Sequence, residues 1–233
     1  MLLMGLQKLT LLDFPEKTAC TVFTGGCNMR CPFCHNASLV TGDIKNLPHL
    51  PEREFFEFLK KRQGILEGVC VTGGEPTLQP DLIDFLLKIK GMGFAVKLDT
   101  NGTRSDVIKE AVQKGAVDYV AMDIKNSKDL YPVTVGDENF DITPICSSVE
   151  LLKSDIVDYE FRTTLVKPLH NEQSVKQIGQ WISGAKRYFL QNFVDSGDLI
   201  SNSVQFGHFE QNEIENLLNV LKPLVPSTKS RGI

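Results

Sequence analysis

The chain has 233 residues, of which 42% are hydrophobic and 23% charged, and its formal net charge is −4. This composition is ordinary for a water-soluble globular protein, and the length fits one large α/β domain or two small ones. The mildly acidic balance, without a run of Lys or Arg, argues against binding to nucleic acid or to an anionic membrane, and no apolar run reaches the ~18 residues of a membrane-spanning helix.

Strand-like and helix-like segments alternate along the chain. The strand-like segments are short and rich in β-branched and aromatic residues, whereas the helix-like segments have apolar residues at helical spacing. In chain order, we predict strand 18–24, helix 53–64, strand 68–74, helix 80–93, strand 94–100, helix 104–115, strand 117–125, helix 143–155, strand 157–166, helix 171–184, strand 186–194 and helix 210–222. This alternation is typical of βαβ units that build a parallel sheet.

The predicted strands are too few for a complete eight-stranded barrel, so an open doubly wound sheet and a partial barrel both fit the pattern. In both architectures, ligands bind at the carboxyl ends of the strands. Polar residues, glycines and a cysteine lie at or just after the carboxyl ends of the first four predicted strands: Cys27, Gly73, Gly74, Glu75, Asp99, Thr100, Asn101, Asp123 and Lys125. We expect these residues to lie close together at one edge of the sheet.

Three cysteines lie close together in the stretch TGGCNMRCPFCHN. Cys27, Cys31 and Cys34 have the spacing C-x3-C-x2-C. Soft thiolates of this kind bind zinc, copper(I) or an iron-sulfur cluster. Structural zinc nearly always takes four ligands, and His35, which directly follows Cys34, would strain to become the fourth. An iron-sulfur cube held by three protein thiolates would leave one iron open, which suits a site that must accept a small molecule.

The other cysteines and the amino-terminal stretch suggest a reducing compartment. Cys20 and Cys70 lie in strand-like apolar runs, and Cys146 follows a predicted helix start, so core packing is the simplest interpretation for all three. The amino-terminal stretch is interrupted by Lys8 and Asp13 and lacks the pattern of a signal peptide. We therefore expect a cytoplasmic protein whose thiols stay reduced rather than forming disulfides.

The cysteine spacing, with an aromatic residue (Phe33) before the last cysteine, resembles the signature of the radical S-adenosylmethionine (SAM) superfamily. The resemblance implies a 4Fe-4S cluster on Cys27, Cys31 and Cys34, with SAM bound to the open iron through its amino and carboxylate groups. It also implies reductive cleavage of SAM to a 5′-deoxyadenosyl radical. The fold that it implies is a partial (β/α)6 barrel with parallel strands.

A second segment, TGGEP at residues 72–76, is similar to the GGE motif of the same superfamily. Gly73 and Gly74 allow a close approach of the backbone, and Glu75 can accept a hydrogen bond from the methionine ammonium group. The alternative interpretation is an ordinary turn between a strand and a helix. The position of the segment after the cysteine triad favours the functional interpretation.

Three further segments, CPFCHN, LDTNG and MDIK, together resemble the glycyl-radical-enzyme activases. This branch implies a monovalent cation held beside the SAM carboxylate by Asp99, Thr100 and Asp123, and a hard cation in an oxygen cage suits these side chains. The alternative is that the two aspartates cap nearby helices. The resemblance extends the expected cofactor-binding set to Phe33, His35, Asn101, Lys125 and Arg162.

Two residues near the end of the fifth predicted strand each have two interpretations. Arg162 fits an arginine that the superfamily places near the methionine carboxylate, although a structural salt bridge to a nearby carboxylate is the alternative. His170 could contact substrate or lie in a surface loop.

The amino-terminal segment, GLQKLTLLDFPEKTACTVF, resembles the anaerobic ribonucleoside-triphosphate reductase activating proteins. This resemblance implies that the radical abstracts hydrogen from a glycine of that reductase, with a flavodoxin or ferredoxin as electron donor. It also implies one radical SAM domain over residues 1–233. The cofactor site would lie mainly in 20–165, and residues 170–233 would complete the barrel and serve partner recognition.

Three other functions fit the same motifs. An activase of another glycyl radical enzyme, such as pyruvate formate-lyase, would share the residues around the cluster, and so would a radical enzyme that acts on a small molecule or a peptide. A non-catalytic metal-binding module would need only the three cysteines.

Overall fold

The computed structural model describes residues 1–41, 44–195, 197, 199–201 and 204–232. These residues form one sheet of eight strands: β1 (Leu3–Thr10), β2 (Ala19–Thr24), β3 (Gly68–Gly73), β4 (Ala95–Thr100), β5 (Tyr119–Asp123), β6 (Asp158–Leu165), β7 (Tyr188–Asn192) and β8 (Lys229–Arg231). The strands are ordered in the sheet as they are in the chain. β1 is antiparallel to β2, and all pairs from β2 to β8 are parallel.

The strand order decides between the two architectures expected from the sequence. A doubly wound sheet reverses its order at a switch point, whereas here the order runs in one direction as it does in a barrel. Among the described strands, β1 and β8 form the two edges and do not pair with each other. The doubly wound alternative is therefore wrong, and the sheet is an unclosed barrel.

Eight α-helices, counted over the described residues, accompany the strands: α1 (Ala37–Val40), α2 (Glu52–Lys60), α3 (Leu82–Gly91), α4 (Ser105–Gln113), α5 (Tyr131–Val135), α6 (Thr143–Lys153), α7 (Glu172–Trp181) and α8 (Gln211–Leu221). The six predicted helices correspond to α2, α3, α4, α6, α7 and α8. Each ends one to four residues earlier than predicted, and α2 begins one residue earlier. None of the helices formed by the described residues is long and apolar enough to span a membrane.

Alternation along each strand separates an apolar face from a polar face. On β4, Val96 and Leu98 belong to the main hydrophobic core, together with helix residues such as Leu86 and Ile108. Lys97 and Asp99 lie on the other face of the same strand, because successive side chains point to opposite sides. The helices thus cover one face of the sheet, and the face inside the barrel is left for polar side chains.

The six predicted strands are confirmed as β2–β7, whereas β1 and β8 were not predicted. β1 is an antiparallel edge strand with irregular register and a run of exposed residues from Gln7 to Leu9, so it lacks the apolar pattern of a buried strand. β8 has only three residues, with the sequence KSR. Edge strands of this kind are held by their pairing with a neighbour, which leaves little signal in the sequence.

Candidate functional site

A cavity of about 340 Å³ lies at the carboxyl ends of the strands. Its lining includes every site residue expected from the sequence except Glu75: Cys27, Cys31, Phe33, Cys34, His35, Gly73, Gly74, Asp99, Thr100, Asn101, Asp123, Lys125 and Arg162. These residues come from five separate segments of the chain. The expectation that they lie together at one edge of the sheet is confirmed.

The cysteine-bearing loop follows β2 and is held from two sides. On one side, Arg30 N donates to Val135 O at 2.9 Å, at the end of α5. The next residue, Gly136, has φ +73, and a Cβ there would lie 2.4 Å from the Arg30 carbonyl, so only glycine fits this close approach. The short helix α5, which the sequence pattern did not predict, therefore fixes the position of the cysteine loop.

On the other side, the cysteine loop packs against the GGE turn. Glu75 N donates to Gly26 O at 2.7 Å. A Cβ on Gly74 would lie 2.0 Å from the same carbonyl oxygen, so the two backbones are in direct contact. This contact explains the glycine at position 74 independently of any ligand.

The three clustered thiols suit a cluster better than a single metal ion. All six cysteines are free. Among the described residues, no three His, Cys, Asp or Glu side chains converge closely enough to hold one metal ion. A 4Fe-4S cube does not need such convergence, because each thiolate binds a different iron. Without metal, burial raises the pKa of the Cys31 thiol to about 12, so cluster binding must release its proton.

Hydrogen-bond donors surround Cys27. Its Sγ accepts from Met29 N at 3.4 Å and from Asn101 Nδ2 at 3.7 Å. The orientation of the Asn101 amide is fixed, because its Oδ1 accepts from the backbone N–H of Thr103 at 3.0 Å. Its Nδ2 also donates to Asn28 Oδ1 at 3.0 Å, which links the cysteine loop to the loop after β4.

Glu75 is a buried structural residue in this arrangement. It is 0% exposed and does not line the cavity. Its Oε1 accepts from Thr77 N at 3.0 Å and from Thr100 Oγ1 at 2.8 Å, and its Oε2 accepts from Asn101 N at 2.6 Å. Burial raises the pKa of Glu75, against the effect of these donors. Its carboxylate thus joins the GGE turn to the loop after β4 and is not exposed to a ligand in the cavity.

Two carboxylates and three cations form what we call the upper network: Lys97, Asp99, Asp123, Lys125 and Arg162. Arg162 joins the carboxylates, since its Nη1 donates to Asp99 Oδ2 and its Nε to Asp123 Oδ1, each at 2.9 Å. The other oxygen of Asp99 forms an ion pair with Lys97. The other oxygen of Asp123 accepts from Lys125 Nζ at 2.9 Å. The salt bridge considered for Arg162 is therefore present, and Arg162 also lines the cavity.

Charge pairing keeps both carboxylates of the upper network ionised. Burial opposes ionisation of Asp99, but Arg162 and Lys97 hold its pKa below the ordinary value. Burial also opposes ionisation of Asp123, and Arg162 and Lys125 hold its pKa further below the ordinary value. The network therefore keeps a net positive charge near neutral pH.

His170 is neither a cavity residue nor a surface residue. It is 3% exposed, and its ring connects two loops: Nδ1 accepts from Val166 N at 3.1 Å, and Nε2 lies 2.8 Å from Lys125 O. Since Nδ1 accepts a backbone hydrogen, Nε2 must carry the proton that is donated to Lys125 O. Burial lowers the pKa of His170, which favours this neutral form. His170 therefore fixes the backbone that carries Lys125.

Sequence reasoning missed Lys97, which forms an ion pair with Asp99. It is 1% exposed and does not itself line the cavity. A signal was present in the segment FAVKLDT, because strand alternation places Lys97 on the same face as Asp99. A lysine on the inner face of a buried strand is rare unless it is paired.

Comparison with known proteins supplies the family. The profile of the Radical SAM superfamily matches residues 21–181. The chain belongs to the radical SAM superfamily. This membership confirms the expected enzyme class and implies SAM and a 4Fe-4S cluster as cofactors.

Among relatives of this radical SAM protein, one from Methanocaldococcus jannaschii is provisionally named a glycyl-radical enzyme activating enzyme. It is 30% identical over 239 residues, which cover 100% of this chain and 96% of that protein. The pyruvate formate-lyase-activating enzyme of Clostridium pasteurianum is 34% identical over 135 residues, which cover 54% of this chain and 52% of that enzyme. The expected resemblance to the activase branch is confirmed by the full-length match.

Solved structures support the fold. A domain of the pyruvate-formate lyase-activating enzyme from Bacteroides vulgatus has a TM-score of 0.57 and 18% identity, over 71% of this chain and 99% of that one. SuiB of Streptococcus suis, bound to SAM, has a TM-score of 0.68 and 11% identity, over 88% of this chain and 48% of that one. The partial barrel expected from the sequence is confirmed.

Proposed function

We propose that this radical SAM protein is a glycyl-radical-enzyme activase. The observation that carries the proposal is that the segments CPFCHN, LDTNG and MDIK all contribute to one cavity. The full-length match to a relative named as an activating enzyme supports it. The unclosed sheet adds physical support, because a glycine on another protein can be reached only through an opening that admits a peptide loop.

We propose roles for the residues around the cavity as follows. Cys27, Cys31 and Cys34 hold the cluster, and Phe33 and His35 lie on the same loop beside it. The chemistry that a bound cluster supplies is one electron, which cleaves SAM to methionine and a 5′-deoxyadenosyl radical that takes a hydrogen atom from a glycine Cα.

The rest of the chain orients the cofactor and excludes water. Lys125 and Arg162 carry the positive charge that attracts the methionine carboxylate, and Asp99 and Asp123 hold these cations in place. Gly73 and Gly74 line the same cavity, and we place the methionine ammonium group beside their backbone. Little acid-base chemistry is required of the protein, so positioning is its main contribution.

The partner that we propose is an anaerobic ribonucleoside-triphosphate reductase, on the strength of the amino-terminal segment. Residues 1–233 would form one radical SAM domain, with partner recognition in the segment from residue 170 onward. One contact supports this placement: Phe206 packs edge-on against Phe33 of the cysteine loop, with ring centroids 6.3 Å apart. A flavodoxin or ferredoxin donor and a cytoplasmic location remain predictions.

The test is anaerobic reconstitution with iron and sulfide, followed by assays for 5′-deoxyadenosine and for a protein radical. We expect SAM cleavage under dithionite, and a glycyl-radical doublet in the electron paramagnetic resonance (EPR) spectrum of the reductase only when this protein and SAM are present. Cys27→Ala, Cys31→Ala and Cys34→Ala should each abolish cleavage. A doublet on pyruvate formate-lyase instead would correct the partner.

Two other results would overturn the proposal itself. Cleavage of SAM with no radical on either partner would favour a radical enzyme of small molecules or peptides. Zinc binding without iron would favour a non-catalytic metal module.

A further inference from the structure

The predicted cation site and the structure of the upper network disagree. The resemblance to activases places a monovalent metal ion on Asp99, Thr100 and Asp123. In the structure, all four oxygens of the two carboxylates are paired with Lys97, Lys125 or Arg162. The Thr100 hydroxyl donates to Glu75 Oε1 at 2.8 Å and accepts from Gly102 N at 3.1 Å. A sodium or potassium ion would have to displace a group of the protein from each expected ligand.

Lys97 is the member of the network whose position most needs an explanation. It is 1% exposed and lies on β4, two residues before Asp99. Its ammonium group pairs with Asp99 and lies 3.8 Å from Cys70 Sγ. Burial of a lysine is costly unless an opposite charge compensates it, so the carboxylate of Asp99 is what makes this position tolerable.

The charges of the network explain what Lys97 does for a ligand. Three cations and two carboxylates leave one positive charge in excess. Without Lys97 the same groups would be balanced, and Asp99 would repel an incoming carboxylate. The carboxylate of Asp13 also lines the cavity, and the hydrogen bond that it accepts from the Thr21 hydroxyl leaves its negative charge in place. Glu160, in contrast, is neutralised by Arg231 deeper in the barrel. Without Lys97, the remaining groups of the network together with Asp13 would carry a net negative charge, so the balance that admits an anionic ligand depends on Lys97.

We propose that the ammonium group of Lys97 is the built-in cation of this site, so that SAM binds here without a monovalent metal ion. The inference rests on the SAM site of the proposed function. Lys97 acts through Asp99 and is thus a positioning residue, since it does not line the cavity. A metal ion beside Asp99 would need several oxygen ligands around it. The ammonium group of Lys97 is held there by its own side chain and needs only hydrogen-bond acceptors.

The test measures SAM affinity of the cluster-loaded protein by equilibrium dialysis in two salts of equal ionic strength, potassium chloride and tetramethylammonium chloride. The wild-type protein should bind SAM equally in both. Lys97→Met should bind SAM about tenfold more weakly in tetramethylammonium and recover affinity in potassium, because the metal ion can then enter the vacated place. In Lys97→Met/Asp99→Asn both charges are removed, so its affinity should not depend on the salt.

The wild-type comparison is decisive even where a variant fails to fold. Wild-type binding that requires potassium would overturn the inference while leaving the proposed function intact. Equal affinity of Lys97→Met and wild type in tetramethylammonium would also overturn it. If the wild type bound SAM in neither salt, the proposed function would fail, and this inference with it. A second readout needs no SAM: potassium should raise the melting temperature of Lys97→Met and leave that of the wild type unchanged.

Discussion

Two charged clusters lie inside the same barrel, one above the other on the same strands. The upper network uses Asp123 on β5 and Arg162 on β6. Earlier on the same strands lie Tyr119, four residues before Asp123, and Glu160, two residues before Arg162. With Arg231 of β8 they form what we call the floor cluster. Arg231 donates to both oxygens of Glu160, at 2.7 and 2.9 Å, and Tyr119 OH donates to Glu160 at 2.9 Å.

The difference between the clusters lies in charge balance and access. The floor cluster pairs one cation with one carboxylate in a bidentate geometry, and Glu160 is 0% exposed. None of its residues lines the cavity. The upper network has one positive charge in excess and faces the cavity. A buried ion pair whose charges cancel can stabilise a conformation but has no net charge to attract a ligand. A network with an excess positive charge at a cavity wall can attract an anionic ligand.

The substitution Glu160→Ala tests most directly whether the floor cluster contributes to stability and not to SAM binding. It leaves the buried Tyr119 hydroxyl without its acceptor and the partly exposed Arg231 guanidinium without its ion-pair partner, so we expect a loss of about 3 kcal/mol in the free energy of unfolding. Anaerobic urea denaturation of the cluster-loaded protein, followed by circular dichroism, measures it. The affinity for SAM should stay within about twofold of the wild-type value, since the floor cluster does not line the cavity.

A matched control lies on the same strand. Asp158→Ala removes an exposed carboxylate that pairs with Arg187 at 2.7 Å, and such surface pairs contribute at most about 1 kcal/mol. Equal destabilisation by the two variants, or a large loss of SAM affinity in Glu160→Ala, would remove the distinction between the clusters.

The second prediction concerns Arg162→Met, which removes the group that joins the two carboxylates of the upper network. We expect kcat/KM for SAM cleavage to fall by about a hundredfold, because a buried, hydrogen-bonded charge at the site is lost. Initial rates of 5′-deoxyadenosine formation across SAM concentrations measure it. Arg162→Lys should recover only part of the activity, since an ammonium group does not reproduce the fork of a guanidinium. A variant with reduced stability and unchanged KM would show a purely structural role.

The floor cluster also shows what the sequence could not reveal. Glu160 was hidden inside a predicted strand, and its partner Arg231 lies on β8, a three-residue strand without an apolar pattern. The pairing joins positions 71 residues apart. Local periodicity cannot report such a contact, because only tertiary packing brings the two residues together.

The cavity was easier to predict, because strand ends can be read from the sequence. Placing Asp99 and Asp123 at the carboxyl ends of predicted parallel strands was enough to bring them to one edge of the sheet. Glu75 shows the limit of that reasoning. It also follows a strand, but strand ends do not determine which way a side chain turns, and four donors hold this one away from the cavity.

The third prediction extends the comparison to the cluster-binding loop. Asn101→Ala removes a hydrogen bond to Cys27 Sγ. Hydrogen bonds to cluster sulfurs favour the reduced state. We expect the equilibrium constant for cluster reduction to fall by about tenfold, which corresponds to about 59 mV toward more negative potential. A potentiometric titration followed by EPR measures it. Asn28→Ala, which removes an acceptor of Asn101 but keeps the donor to sulfur, should shift the potential less.

The smallest effect is expected at Cys20, a cysteine that belongs neither to the two charged clusters nor to the proposed ligands of the iron-sulfur cluster. It is 0% exposed on β2, lies in the hydrophobic core and does not line the cavity. Cys20→Ala should therefore leave iron content and the rate of SAM cleavage unchanged. It should cost about 1 kcal/mol of stability through a small cavity. Iron analysis and the 5′-deoxyadenosine assay, run beside Cys31→Ala, make the comparison between a core thiol and a cluster thiol. If iron were lost from both variants alike, the assignment of Cys27, Cys31 and Cys34 as the ligand set would be wrong.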